Sequence, residues 1–308
     1  MNPEIISYRG WDNTLRLAND DIELLVTTDV GPRILVCKTP SGENVLKTFD
    51  DQLGLSGEEE WRIRGGHRFW LAPEDAVLSY HLDNGPAHWR YDDFSGEVVV
   101  ESIQERPLRI RKTLGILSAA HGSRVSLRHT VLNESDQSVM LAAWALTVMQ
   151  PEGLQIIPQP PIGEHPRDLL PNRGIVLWAY TDLSDPRLTL GTKFWLLRQT
   201  PGSPPIKIGL AHRERWIAYV LSDTLFLKTF NYDVNAAYPD GGCNFETFTN
   251  SEMLEIESLG PLVTLQPGES TSHHEAWHLF PLTESFEIES EEALGEWITP
   301  FLERAGIS

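Results

Sequence analysis

The sequence predicts an all-β protein in which two antiparallel sheets form a sandwich, and three observations lead to this fold class. The 23 glycines and 21 prolines are spread along the whole chain, so turn signals recur at short intervals. The runs between them are short and rich in Val, Ile, Leu, Thr and aromatic residues, as strands are. Helical periodicity is nearly absent. A sandwich is preferred over a closed barrel as the way to bury so many apolar strand faces.

The strand pattern begins with a pair of runs around the turn Val30-Gly31-Pro32 and recurs up to Phe280. One helix is expected over about 290–305, because Glu291-Glu292 suits a helix N-terminus, and Pro300 should kink it or split it. The predicted strands are Asp21–Thr28, Arg33–Lys38, Glu97–Ser102, Leu108–Leu117, Arg124–Leu132, Val139–Val148, Thr192–Arg198, Trp216–Leu221, Thr224–Phe230, Met253–Ser258 and Ser270–Phe280.

The organisation of the chain favours one domain over residues 1–308, because no Ser/Gly-rich linker, low-complexity segment or regular repeat interrupts it. Large all-β domains often exceed 250 residues, so this length is compatible with a single domain. The longest proline-rich interruption is Gln150–Asn172, which is expected to be a loop that folds over one end of the sheets as a lid or rim.

The charge balance argues against nucleic acid as a partner. The 308 residues include 25 Lys+Arg against 44 Asp+Glu, a formal net charge of −19, and no basic run concentrates the positive charges. Such a surface repels a polyphosphate backbone. No uninterrupted apolar stretch of about 18 residues predicts a membrane span, and the first residues lack a basic leader followed by an apolar stretch. The expectation is a soluble, cytoplasmic protein with no membrane partner.

Motifs for bound cofactors are missing from the sequence. It lacks the glycine-rich phosphate loops of nucleotide-binding proteins and the G-x-S-x-G elbow of serine hydrolases. Cys37 and Cys243 lack the close partner that a zinc or redox motif needs. No cofactor is therefore expected.

The segment His273-His274-Glu275 with His278 has the residue types of a metal site, but strand geometry argues against one. Neighbouring residues on a strand point to opposite faces, and His274 and His278 lie about 13 Å apart at ~3.3 Å per residue. That distance is too long for two ligands of one zinc ion. These histidines are expected to pair with neighbouring strands or with solvent, and no metal site is predicted.

A pair of carboxylates stands out in the strand Met253–Ser258. Leu254 and Ile256 alternate with Glu255 and Glu257, so both glutamates project from one face of the strand. Glu246 repeats this alternation in a nearby segment, which makes a shared acidic face plausible. An edge strand with a solvated face gives the same pattern, and the sequence leaves both interpretations open.

The segment Arg64–Glu74 has the composition of a sugar-binding pocket behind a double glycine, since aromatic rings stack on sugar C–H faces while charged groups bind hydroxyls. A glycine-rich turn whose aromatic residues simply enter the core would look the same. The pocket residues predicted from this segment are Arg64, His67, Arg68, Trp70 and Glu74, and those predicted for its rim are Lys228, Tyr232, Tyr238 and Asp240.

Three stretches of the chain, in this order, resemble the galactose mutarotase-like (aldose 1-epimerase-like) superfamily. They are the hairpin Gly31–Leu35 with Gly42–Leu46, the Gly65-Gly66 segment, and Glu255-Ile256-Glu257 followed by Leu265–Ser270. The likeness is closest to an uncharacterised bacterial branch. It implies a supersandwich of two large antiparallel sheets with a carbohydrate site on a concave face.

The resemblance implies that Glu257, or Glu255 as second choice, is the general base that removes the anomeric hydroxyl proton. An acid must then protonate the ring oxygen. The superfamily's acid is a histidine after the central strand, but the corresponding stretch here is Leu141–Thr147, which contains no histidine. His67 or His81 is the expected substitute.

Three functions remain open at this stage. The first is an aldose 1-epimerase or related sugar isomerase that works without metal or nucleotide. The second is a sugar-binding protein that has lost catalysis and uses Trp70 and Trp144 as stacking platforms. The third is a glycosidase or lyase, whose second carboxylate would be Glu74 or Glu246. The expected partner is a small carbohydrate in each case, and the sequence predicts neither the sugar nor the oligomeric state.

Overall fold

The computed structural model describes residues 2–76, 79–105, 108–283 and 288–307. Within those residues the strands are β1 Glu4–Tyr8, β2 Trp11–Ala18, β3 Glu23–Thr27, β4 Arg33–Lys38, β5 His67–Ala72, β6 His88–Tyr91, β7 Val98–Glu101, β8 Ile110–Ser118, β9 Val125–Asn133, β10 Val139–Met149, β11 Leu154–Pro158, β12 Ile175–Leu177, β13 Leu188–Leu190, β14 Phe194–Arg198, β15 Ile206–Leu210, β16 Trp216–Leu221, β17 Thr224–Phe230, β18 Phe245–Thr249, β19 Leu254–Leu259, β20 Val263–Leu265 and β21 Ser270–Pro281. The helix α1 spans Glu291–Ala305, and a short 3₁₀ turn spans Asp50–Gln52.

These strands form two large antiparallel sheets. The first sheet has the order β1-β2-β3-β4-β5-β10-β19-β18-β15-β12, with β20 paired to β10. The second sheet has the order β13-β14-β11-β16-β17-β21-β9-β8-β7-β6. The all-β, two-sheet architecture predicted from the sequence is therefore confirmed.

The main core lies between the two sheets. One buried cluster contains Ile34 and Ile256 of the first sheet together with Leu114, Phe226 and Trp277 of the second sheet. Because alternate residues of a strand point to opposite faces, each strand also presents a second set of side chains to the outside of the sandwich. The chemistry of the molecule depends on what covers those two outer faces.

Helix α1 covers part of the outer face of the second sheet. Leu294 and Ile298 belong to a buried cluster with Phe280 and Trp216. The Ser290 side chain caps the helix by accepting a hydrogen bond from the Ala293 amide. The expectation that Pro300 splits the helix is wrong, because α1 continues through it to Ala305 and is held against the sheet by packing on both sides of the proline.

The expectation that Gln150–Asn172 is one loop is wrong in its first part. Leu154–Pro158 forms the buried strand β11, which lies between β14 and β16. In the described part of the chain, no helix is long and apolar enough to cross a membrane.

Candidate functional site

The outer face of the first sheet carries most of the predicted acidic and aromatic residues. On β5, His67 points inward, because its ring contacts His129 and Trp277 of the second sheet. The alternation of the strand therefore places Arg68 and Trp70 on the outer face. On β19, Ser258 bonds to a second-sheet histidine, so Glu255 and Glu257 also face outward.

Two glutamates lie side by side on this outer face. Glu246 of β18 is the direct cross-strand partner of Glu257 of β19. Lys207 of β15 lies between their carboxylates, with its Nζ 2.8 Å from Glu246 Oε2 and 3.2 Å from Glu257 Oε2. All three side chains are almost completely buried. The antiparallel register of three neighbouring strands thus builds a buried cluster of two carboxyl groups and one ammonium group.

The carboxylates of this cluster are only partly satisfied. The indole Nε1 of Trp144 donates to Glu257 Oε2 at 3.0 Å. Glu257 Oε1 and Glu246 Oε1 are buried and have no hydrogen-bond partner among the residues that the structure describes. A buried polar atom without a partner costs free energy, so these two oxygens on adjacent carboxylates are candidates for binding a water molecule or a ligand.

The burial of this cluster changes its protonation. Burial raises the pKa of Glu246 and Glu257 above the ordinary carboxyl value, although Lys207 opposes the shift in both. Burial alone would lower the pKa of Lys207, but Glu257 and Glu246 raise it above the ordinary value. The lysine therefore stays charged, while the carboxyl pair can retain a proton near neutral pH.

A second ion pair extends the site along the same face. Arg68 Nη1 donates to Glu255 Oε1 at 2.8 Å. The Arg68 guanidinium also lies over the Trp70 ring, 4.5 Å from its centroid. Glu255 is thus held by an arginine and differs from Glu257, whose second oxygen is unpaired.

Aromatic rings cover the charged cluster. Trp61, Trp70, Tyr80 and Trp144 form a chain of contacts with ring centroids 5.3 Å apart for Trp61–Trp70, 4.9 Å for Trp70–Tyr80 and 5.5 Å for Trp70–Trp144. Trp178 covers Lys207, whose Nζ lies 4.7 Å from the ring centroid. Tyr80 donates to Glu74 Oε1 at 2.6 Å and is 40% exposed, so this pair lies at the rim.

The structure thus brings together many of the residues predicted from the sequence. The residues on or at the rim of the outer face are Glu257, Glu255, Glu246, Arg68, Trp70, Trp144 and Glu74. Sequence reasoning missed Lys207, Trp61 and Trp178. The signal for Lys207 was available, because a single lysine alternates with Ile206 and Ile208 in a strand-like run.

The two histidines proposed as acids have partners outside this cluster. His67 is fully buried on the opposite face of the sheet, with Nδ1 3.0 Å from Thr147 Oγ1. It cannot protonate a sugar that lies against Glu257, because the sheet itself separates the two. His81 faces Glu105, with its Nδ1 3.9 Å from Glu105 Oε2. The expectation that His67 shares a face with Glu257 is corrected by this placement.

Four further predicted pocket residues have other partners. Arg64 is buried and donates twice to the Glu58 carboxylate at 2.7 Å. Lys228 belongs to the second sheet and points between the sheets, so it is not a rim residue. Tyr232 and Tyr238 stack on each other, with ring centroids 5.4 Å apart, in the loop before β18.

Lys228 is the centre of a polar network between the sheets. Its Nζ lies 2.5 Å from Glu275 Oε1 and donates to Thr147 Oγ1 at 3.0 Å and to the Ile256 carbonyl at 3.2 Å. Ser258 donates to the same Glu275 oxygen and contacts His273 Nε2 at 2.6 Å.

Part of this network offers metal-ligand atoms. His67, His129 and Glu275 place such atoms within 4.8 Å of one another. The two imidazoles, however, already share a hydrogen bond of 2.7 Å, and the Lys228 ammonium neutralises the Glu275 carboxylate. A metal ion there would compete with the Lys228 ammonium for the Glu275 carboxylate. The chemistry of this donor set fits a structural hydrogen-bond network better than a metal site.

Comparison with known proteins identifies the fold. No protein-family model matches the sequence, and no curated protein sequence matches it. A candidate aldose 1-epimerase from Klebsiella pneumoniae is 12% identical over 91% of this chain and 83% of its own length, with a TM-score of 0.59. A candidate aldose 1-epimerase from Escherichia coli K12 is 11% identical over 88% of this chain and 99% of its own, with a TM-score of 0.55. A galactose mutarotase-like protein from Clostridium acetobutylicum is 13% identical over 91% of this chain and 98% of its own, with a TM-score of 0.53.

The chain therefore has the galactose mutarotase-like fold, as the resemblance seen in the sequence predicted. At these low identities the likeness establishes the fold, and any function must be argued from the site itself.

Proposed function

We propose that the outer face of the first sheet binds a carbohydrate and that the protein is an aldose 1-epimerase-like isomerase with Glu257 as general base. The observation that carries this proposal is the pair of buried, unpartnered oxygens, Glu257 Oε1 and Glu246 Oε1, beneath a layer of tryptophans. Aromatic rings suit the apolar faces of a sugar ring, and the free carboxylate oxygens suit its hydroxyl groups.

The two glutamates divide the proton transfers between them. Ionised Glu257 accepts the proton of the anomeric hydroxyl, and protonated Glu246 donates a proton to the ring oxygen as the bond from that oxygen to the anomeric carbon breaks. The open-chain aldehyde then rotates, and the reverse transfers close the ring as the other anomer. Two neighbouring carboxyl groups with raised pKa values can supply one base and one acid near neutral pH. Glu246 thereby takes the role of the missing histidine.

The remaining side chains bind and orient the sugar. Trp70 and Trp144 offer ring faces, while Arg68 and Lys207 offer donors for hydroxyl groups. Glu246 and Glu257 are 0% exposed, so a sugar reaches them only when aromatic side chains above them move. Binding is therefore expected to displace part of the layer formed by Trp61, Tyr80 and Trp178.

Mutarotation of freshly dissolved pure anomers, followed by polarimetry over a panel of aldoses, tests the proposal. We expect wild-type protein to accelerate equilibration of at least one sugar, and Glu257→Gln or Glu246→Gln to reduce the rate by about 10² to 10⁴. Glu252→Gln is the matched control, because Glu252 is exposed and lies two residues before the first residue of the Glu257 strand. Acceleration that survives in both the Glu257 and Glu246 variants contradicts the assignment.

The second candidate is a sugar-binding protein without catalysis. It is favoured by Lys207, whose ammonium contacts both carboxylates and stabilises them as anions. This alternative predicts no acceleration for any sugar but a measurable affinity for at least one. Calorimetric titration of the same panel separates the two functions.

A further inference from the structure

A groove lies on the opposite side of the molecule, on the outer face of the second sheet. It has a volume of about 620 Å³ and is bordered by β9, β17, β21, the turn before β16 and the residues that end helix α1. This volume is within the usual range for small-molecule sites, about 300 to 1,000 Å³. The groove faces away from the acidic face of the first sheet, so it is a separate site.

Arginines outnumber carboxylates by four to three in the lining of this groove. The arginines are Arg124, Arg128, Arg213 and Arg215, and the carboxylates are Glu97, Glu214 and Glu275. The whole chain has 44 acidic against 25 basic residues, so a region with more arginines than carboxylates departs from the rest of the molecule. Such a local reversal of sign in a concave region attracts anions.

Three of these arginines form no salt bridge within the described part of the chain. Arg128 is paired, with its Nη2 2.8 Å from both oxygens of Glu97. Arg124, Arg213 and Arg215 line the groove without a salt bridge or side-chain hydrogen bond to any described residue. Like charges gathered without partners repel one another, and a bound anion would remove that repulsion.

The turn that carries two of the arginines is fixed in place. Arg215 has a φ of 62°, a left-handed conformation that a residue with a side chain adopts at a cost. The Arg215 amide donates to His212 Nδ1 at 3.2 Å, and its carbonyl accepts from the Phe230 amide at 3.1 Å. His212 is itself buried, with its Nε2 3.1 Å from the Pro158 carbonyl. The strained turn is therefore held by the core, which fixes the backbone from which both arginines project.

The end of helix α1 does not account for the arginine cluster. A helix C-terminus favours nearby cations because its last carbonyls carry partial negative charge. Here the Gly306 and Ile307 amides donate to the carbonyls of Leu302 and Glu303, which satisfies those oxygens. No arginine of the groove hydrogen-bonds to them within the described ranges.

From this arrangement we propose that the groove binds a phosphorylated small molecule with at least two negative charges. Guanidinium groups bind phosphate oxygens through paired N–H donors and remain charged at all physiological pH values. Ser126, Thr229 and Asn231 line the same groove and add neutral groups that can bind the hydroxyls of a phosphorylated polyol. The limited volume favours a small ligand over a polymer.

Calorimetric titration of the full chain with inorganic pyrophosphate at low ionic strength tests this proposal. We expect saturable binding that weakens as salt is added, and a loss of at least tenfold in affinity in the variant Arg124→Ala/Arg213→Ala/Arg215→Ala. The matched control is Arg9→Ala/Arg62→Ala/Arg198→Ala, which removes the same charge from arginines outside the groove. Circular dichroism and the melting temperature establish that both variants are folded.

The outcomes separate the alternatives. No binding by the wild type, or equal weakening in both triple variants, overturns the proposal, because the second result reports only net charge. Binding of heparin without binding of pyrophosphate also overturns it, in favour of a polymeric anion. If the triple variant does not fold, Arg124→Gln alone must weaken pyrophosphate binding, since Arg124 is exposed. Sugar mutarotation is measured in parallel, and its result does not bear on this site.

Discussion

Buried charged groups lie against both faces of the first sheet, but the groups on the two faces are paired to different extents. On the inner face, the Lys228 ammonium contacts a carboxylate, a hydroxyl and backbone carbonyls. On the outer face, Lys207 contacts two carboxylates, each of which keeps a buried oxygen without a partner. Both lysines contact strand β19, Lys228 through the Ile256 carbonyl and Lys207 through the Glu257 carboxylate, so the difference comes from what else lies against each face.

Burying charge is costly unless every polar atom finds a partner. In the inner network both Glu275 oxygens and the Lys228 ammonium have partners, although His129 Nδ1 has none among the described residues. The outer cluster does not meet the pairing condition, and only loops and aromatic side chains cover it. A network whose polar atoms are paired needs no ligand. A network with unpaired buried atoms keeps the free-energy cost of their desolvation, and a ligand that binds them can remove that cost. This contrast separates the structural from the functional charges in this molecule.

The largest expected effect on stability comes from removing the two lysines separately. Lys228→Met leaves Glu275 and several other buried acceptors unpaired, and we expect a loss of about 3–5 kcal/mol in the free energy of unfolding. Lys207→Met should cost much less, because Glu246 and Glu257 can take up protons in its place. Urea unfolding at pH 7 measures both. Equal losses in the two variants would remove the distinction between the faces.

Much of the fold could be predicted from the sequence where turn residues such as Gly31-Pro32 and Ser222-Asp223 bound a short apolar run. Arg33–Lys38, Trp216–Leu221 and Thr224–Phe230 have the predicted boundaries. The alternation in Leu254–Leu259 also placed Glu255 and Glu257 on one face. These predictions hold because the period of two is a property of the backbone and does not depend on the neighbours. The single-domain organisation over 1–308 stays a prediction.

The sequence could not assign side chains to a face where both faces of a strand are covered. In β17, Leu225 and Leu227 pack toward helix α1, while Phe226 packs between the sheets, so no polar face identifies the outside. Lys228 was therefore assigned to a rim although it points inward. His67 was grouped with Arg68 and Trp70 by proximity in sequence, but the same alternation that grouped the glutamates excludes it from their face.

The pH dependence of stability should have opposite signs on the two faces. Burial lowers the pKa of His67, and it lowers those of His129 and His273 to about 3, so this inner group loses stability as pH falls below the ordinary histidine value of about 6.5. Burial raises the pKa of Glu246 and Glu257, so the outer pair loses stability as pH rises above the ordinary carboxyl value of about 4.3. Between about pH 4.3 and 6.5 the histidines and the glutamates change the free energy of unfolding in opposite directions. Each group contributes about 1.4 kcal/mol per pH unit.

Two variants separate the contributions of the inner histidines and the outer glutamates to this pH dependence. As pH rises from about 4.5 to 6.5, the free energy of unfolding of Glu246→Gln/Glu257→Gln should increase more steeply than that of wild type. The reason is that only the effect of the inner histidines remains. His273→Asn should give a flatter profile over the same range. The measurement is the free energy of unfolding in urea at several pH values. Parallel profiles for all three proteins would show that neither group titrates as its burial implies.

The smallest expected effect concerns sugar affinity, and it compares two neighbours on strand β5. Trp70 lies on the outer face against Trp144, Tyr80 and Arg68, so Trp70→Ala removes a ring face from the proposed site. We expect about a tenfold loss of affinity for whichever aldose binds, since aromatic contacts are worth about 0.5–1.5 kcal/mol beyond their buried area. His67→Asn changes a side chain three residues earlier that points between the sheets, so it should lower stability while the folded protein keeps its affinity. Calorimetric titration at a temperature where both variants are folded measures the two affinities. A loss of affinity in His67→Asn equal to that in Trp70→Ala would mean that the sugar site is not confined to the outer face, because the side chains of these two residues share no face of the sheet.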